Sequence, residues 1–127
     1  MPYMLPTFPK NMVYIIRADG TEEKREIPYG RSSLEILRDV LPYKDFDISV
    51  HFSREHEEPG ALISMVLDDH GWDYKEVWHS PNHVEHVPTK AKHPVNEKAT
   101  ELYWSVCQPG ATHMIVGDVA LIHDSRY

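Results

Sequence analysis

Apolar positions along this chain fall into short strand-like runs, two stretches at helical spacing, and charged or proline-rich breaks between them. Met12–Ala18 (M-V-Y-I-I-R-A) is rich in β-branched and aromatic residues and predicts a strand. Asp19-Gly20 follows, two residues that tolerate positive φ, so a tight hairpin is expected there. The return strand, Thr21–Tyr29, carries Glu22, Glu23, Lys24, Arg25 and Glu26. It reads as an edge strand whose charge discourages pairing with another chain. Ser32 can cap a helix, with Glu35 completing a capping box. Leu34, Leu37, Val40 and Leu41 share a face of that helix, Ile36 lies at its margin, and Pro42 stops it.

The next runs are extended. Asp47–Phe52 alternates, with Ile48, Val50 and Phe52 on one face, and Ala61–Leu67 is a buried strand candidate. Ser53–Gly60 between them is an acidic turn, and Asp68-Asp69-His70-Gly71 ends the second strand. Trp72–His79 has period two and predicts a strand with Trp72, Tyr74 and Trp78 on one face. Residues 80–95 hold prolines 81, 88 and 94 and show no periodicity. They read as a long Pro/His-rich loop, of a length that in a small domain is either functional or mobile. Asn96 then caps a second helix whose expected buried stripe is Ala99, Leu102, Tyr103, Val106 and Cys107, ended by Pro109-Gly110. Met114–His123 is the most hydrophobic segment and the last strand, and Gly117 inside it marks a bulge or a close backbone approach.

These elements predict a single α+β domain over residues 1–127, opened by an irregular arm at residues 1–11. The expected architecture is a mainly antiparallel sheet of about five to six strands with two helices on one face. Strand, hairpin, strand, helix resembles the opening of a β-grasp domain. The core is expected at Val13, Ile15, Leu34, Leu37, Ile48, Val50, Ile63, Val66, Leu102, Val106, Ile115, Val119 and Leu121.

Composition narrows the function classes. With 41% hydrophobic and 26% charged residues the chain belongs among soluble globular proteins, and no apolar run approaches the length of a membrane span. Met1-Pro2-Tyr3-Met4-Leu5-Pro6 lacks the pattern of a signal peptide, and the single cysteine, Cys107, fits a reducing compartment. A cytoplasmic location is the expectation. The net charge of −7, with scattered Lys and Arg, argues against direct nucleic-acid binding. Protonating all nine histidines would reverse the sign of that charge, so behaviour should change between about pH 7 and 5.

Three segments, V-Y-I-I-R-A-D-G-T…S-L-E-I-L, A-L-I-S-M-V-L-D-D-H-G and N-E-K-A-T-E-L-Y-W…H-M-I-V-G-D-V-A-L-I, stand in this order. Together they resemble a family of small domains borne by phages and mobile elements, known only as domain of unknown function thirty-eight forty-six. Asn96, Ala99, Gly117 and Asp118 are the matching positions. The resemblance implies a small accessory protein of viral origin acting in the cytoplasm of a bacterial host. It transfers no activity, and residues 79–94 are an elaboration outside it.

Among candidate sites, His79, His83, His86 and His93 are the sharpest set, since neutral imidazoles in one segment could hold zinc. The plainer reading is a polar loop with solvated histidines. Trp72, Tyr74 and Trp78 could stack on a ligand or meet a partner; aromatic residues at alternate strand positions also commonly face a core. The carboxylates Glu22, Glu23, Glu26, Glu55, Glu57, Glu58, Asp68 and Asp69 could form an acid/base pair or a phosphate mimic, against the bland reading of solvated charge. Cys107 could be a nucleophile, with His113 six residues on, against its place on the apolar stripe of its helix, where cysteine behaves as a small hydrophobe. No phosphate loop, dinucleotide fingerprint or nucleophile elbow supports an enzyme. The expectation is a non-enzymatic binding protein acting on a host protein or a small ligand, with a zinc-type protein as the alternative. A homodimer is compatible with either.

Overall fold

The β-branched run at Met12–Ile16 forms β1, which turns at Asp19-Gly20 and returns as β2, Glu22–Glu26. The computed structural model describes residues 3–53, 62–107 and 110–123. The chain continues through α1 (Ser33–Val40), β3 (Phe46–Ser53), β4 (Leu62–Asp68), β5 (Trp72–Ser80), β6 (His83–Ala91), α2 (Glu97–Val106) and β7 (Val119–His123). Among the described residues the strands form a five-stranded antiparallel sheet, ordered β2-β1-β7-β4-β3, and a two-stranded ribbon, β5-β6. The molecule is an α+β domain with a mostly antiparallel sheet, and β2 is an edge strand as its charge predicts.

The last strand in sequence is the central strand in space. β7 lies between β1 and β4, and all five of its residues are buried. Ile16, Met65, Val119 and Leu121 meet Ala99 and Leu102 of α2, whereas Val13, Ile15, Val66, Ala120 and Ile122 meet Ile36, Leu37 and Val40 of α1. The helices therefore cover opposite faces of the sheet, not the one face expected. The reason is the consecutive apolar pairs Ile15-Ile16, Met65-Val66 and Val119–Ile122, which leave the middle of the sheet apolar on both sides.

Several expected core positions shift. Ile36 is buried and Leu34 only half-buried, while Val106, the last residue of α2, is 48% exposed. Ile48 and Val50 are half-buried because β3 is the other edge of the sheet. A register break between Ile48 and His51 also sends Ile48 to the α1 cluster and Val50 with Phe52 to the α2 cluster, so the three do not share a face.

The turns differ in detail from the sequence reading. Of the pair Asp19-Gly20 only Gly20 has positive φ (+93°), and Asp19 instead accepts hydrogen bonds from the Thr21 N–H and hydroxyl. With Arg17 N–H bonded to Thr21 O and Gly20 N–H to Arg17 O, this is a type I turn closed by a left-handed glycine. Ser32 caps α1 through the Glu35 N–H, but the Glu35 carboxylate pairs with Arg31, so the capping box is half made. Pro109, the expected stop after α2, and most of the Ser53–Gly60 turn, with Glu55, Glu57 and Glu58, lie outside the described residues. So does Ala61, the expected start of β4.

The largest correction is at residues 80–95. His83–Ala91 is a strand, paired with β5 from Trp72↔Ala91 to Ser80↔His83. Pro81-Asn82 makes the turn, with no positive φ at Asn82, and the ladder slips beside it between Trp78 and Ser80. Pro88 sits at a second slip, and β6 is an edge strand, the two settings in which a strand tolerates proline.

Polar wiring fixes how the ribbon leaves the body. Asn96, 1% exposed, caps α2 by accepting the Ala99 N–H, and its amide donates to Ile16 O (2.9 Å) and Gly117 O (3.0 Å). One side chain thus ties β1, α2 and the lead into β7 together. Gly117 (φ +79°) is a close approach: a Cβ there would lie 2.5 Å from Tyr43 Oη and 3.0 Å from the His93 ring. The regular ladder of β7 starts only at Val119, and of the segment before it Val116 bridges Val95. Asp118 accepts from Arg17 and from the Ala18 N–H.

Candidate functional site

Antiparallel partners share a face, so the ribbon register sorts its side chains. Tyr74–Pro88, Glu76–His86 and Trp78–Val84 lie on one face, and Lys75–Val87 and Val77–Glu85 on the other. No residue of β5 or β6 is fully buried. Trp72 anchors the root: its indole N–H donates to Met114 O (3.2 Å), and its ring lies 5.8 Å from that of His113. Farther out, Tyr74 is 50% and Trp78 59% exposed. The aromatic face is therefore pinned at one end and open at the other.

A cleft of about 120 Å³ opens beside that root. Trp72, Tyr74, Tyr103 and His113 line it together with Asp47, Asp68 and Asp69 and the apolar Leu67, Ile115 and Val116. The His113 ring lies 5.9 Å from that of Tyr103 and continues the aromatic wall. A hydrogen bond with Cys107, and then burial, push the Tyr103 hydroxyl pKa up, so it stays a neutral phenol.

The carboxylates differ in commitment. Asp68 accepts the His70 N–H (3.0 Å) and meets His93 Nε2 at 2.7 Å, with little of its side chain exposed. Asp69 lies 3.8 Å from the His70 ring, a loose contact. The Asp47 side chain has no hydrogen bond or ion pair among the described residues.

The sequence-stated metal set is divided by the fold. His79 and His83 lie together (rings 5.3 Å apart), with Glu85 3.5 Å from His79. His86 belongs to the opposite ribbon face and pairs with Glu76 at 3.8 Å. His93 sits at the root, its ring 5.1 Å from Tyr43 and its Nε2 on Asp68. Among the described residues no group of three or more His, Cys, Asp or Glu is arranged to hold a metal ion.

A second, more open groove of about 340 Å³ includes Arg17, Tyr43, His93, Gly117 and Asp118. Its charges are committed to the fold. Burial pushes the Arg17 pKa down, but hydrogen bonds to Glu23 and Asp118 outweigh it and raise it, and Arg17 also donates to Val40 O. Burial and the Asp118 charge push the Tyr43 hydroxyl pKa well up, and that hydroxyl donates to Asp118 O (2.8 Å).

Of the three predicted aromatic residues, Trp72 and Tyr74 line the cleft and Trp78 continues their face outward. The sequence does not mark Asp47 and Tyr103 as site residues, and it offers His113 only as a neighbour of Cys107. Alternation along Asp47–Phe52 does put Asp47 opposite Ile48, which was a usable signal; nothing in the sequence brings His113 to Trp72. Compared with known protein families, curated proteins and solved structures, the chain matches none.

Proposed function

We propose that this is a non-enzymatic binding protein that docks on a partner protein through the aromatic face of the ribbon and the cleft at its root. The observation that carries the reading is the pair Tyr74 and Trp78, half-exposed on a ribbon that packs chiefly on itself. Tyrosine and tryptophan supply much of the energy of protein interfaces. A lone two-stranded hairpin is marginal in water, so a covering partner would add to its order. The resemblance to phage-borne domains makes that partner a protein of a bacterial host. Zinc binding through His79, His83, His86 and His93 is the weaker reading, because the ribbon register separates His86 from His79 and His83.

The test is capture from bacterial lysate on immobilised wild type and on Tyr74→Ser/Trp78→Ser, with circular dichroism confirming equal folding. A protein retained by the wild type and lost by the variant is expected. Identical retention by both would overturn the proposal.

A further inference from the structure

We infer that the cleft beside Trp72 receives the guanidinium of an arginine carried on a basic segment of the partner. The inference rests on the docking reading above and names the chemistry at its centre. The cleft's volume of about 120 Å³ suits the head of one side chain. It falls short of the roughly 300 Å³ at which small-molecule pockets begin.

Two kinds of wall meet there. Trp72, Tyr74 and Tyr103 line the cleft with aromatic rings, a residue type whose π-system attracts cations. Asp47 and Asp69 add carboxylates that no lysine or arginine of the cleft neutralises. The Asp68 carboxylate is already held by His93 and the His70 N–H. A planar guanidinium stacks on rings and forks onto a carboxylate at once, which an ammonium does not do. The net charge of −7 opposes a second copy of the chain at this face and favours a basic partner.

The test follows the Trp72 indole N–H by two-dimensional NMR while N-acetyl-arginine methylamide is added, with the neutral isostere N-acetyl-citrulline methylamide in parallel. Saturable shifts at Trp72 with the arginine compound and none with citrulline are expected. Asp47→Asn/Asp69→Asn should weaken the arginine titration about tenfold, and Tyr29→Ser, at an exposed aromatic residue outside both the ribbon and the cleft, should leave it unchanged. Equal binding of citrulline, no saturable shift at millimolar arginine compound, or indifference to the double Asp→Asn change would each overturn the inference. Such a result leaves docking standing if the ribbon variant still loses its captured protein; an intact arginine titration beside unchanged capture sinks docking instead.

Discussion

The five-stranded body and the two-stranded ribbon use the same antiparallel ladder for opposite ends. In the body, β7 has every residue buried and is covered by α1 on one face and α2 on the other. In the ribbon, β5 and β6 bury none of their residues fully, and their ladder is sustained by cross-strand pairs such as Trp78–Val84. Apolar side chains inside the body hold the fold; apolar side chains on the ribbon, Tyr74 and Trp78, face solvent. Burial therefore separates the part that stabilises from the part available to a partner.

The sharpest way to break this contrast is at the joint between the two regions. Asn96→Asp keeps the cap acceptor but replaces two amide donors with a buried carboxylate facing the carbonyls of Ile16 and Gly117. A loss of about 3 kcal/mol or more is expected in urea unfolding. Gly117→Ala should cost about 2 kcal/mol by the same measurement, through positive φ and the clash with Tyr43.

Hydrogen exchange should then resolve the two regions in one experiment. Amides of β1, β4 and β7 are expected to exchange through global unfolding, and those of the ribbon about a hundredfold faster. Uniform protection would erase the distinction.

A smaller effect is expected at the edge of the body. Burial pushes the Glu22 carboxyl pKa up, but hydrogen bonds from Lys98, Tyr3 and Tyr14 outweigh it and hold it below the ordinary value. A bond from Arg17 chiefly does the same for Glu23. With folded-state values below unfolded ones, their stabilisation is present at neutral pH and is lost as pH falls through the folded-state values. Glu22→Gln should flatten the stability profile between about pH 5 and pH 3.

The same contrast explains what could be read in the sequence. Where burial dictates the residues, the pattern was plain: the β1 run, the helix caps Ser32 and Asn96, and the apolar last strand all appear near their expected places. The placement of the helices was not, because consecutive apolar residues do not state which helix covers which face. In the ribbon no core enforces period two, so β6, with Pro88 and three histidine or glutamate residues among its first four, looked like a loop. Its strand character comes from pairing with β5, a tertiary fact. The cleft was half legible: Trp72 and Tyr74 stood out, while Tyr103, His113 and Asp47 arrive from α2, the segment before β7, and β3.

The most direct test of the separation is thermal unfolding of Tyr74→Ser/Trp78→Ser beside the wild type. If these rings serve recognition and not the core, the variant should keep its stability within about 1 kcal/mol, a shift of only a few degrees. A loss of about 3 kcal/mol or more, the range of a truncated core aromatic, would contradict it.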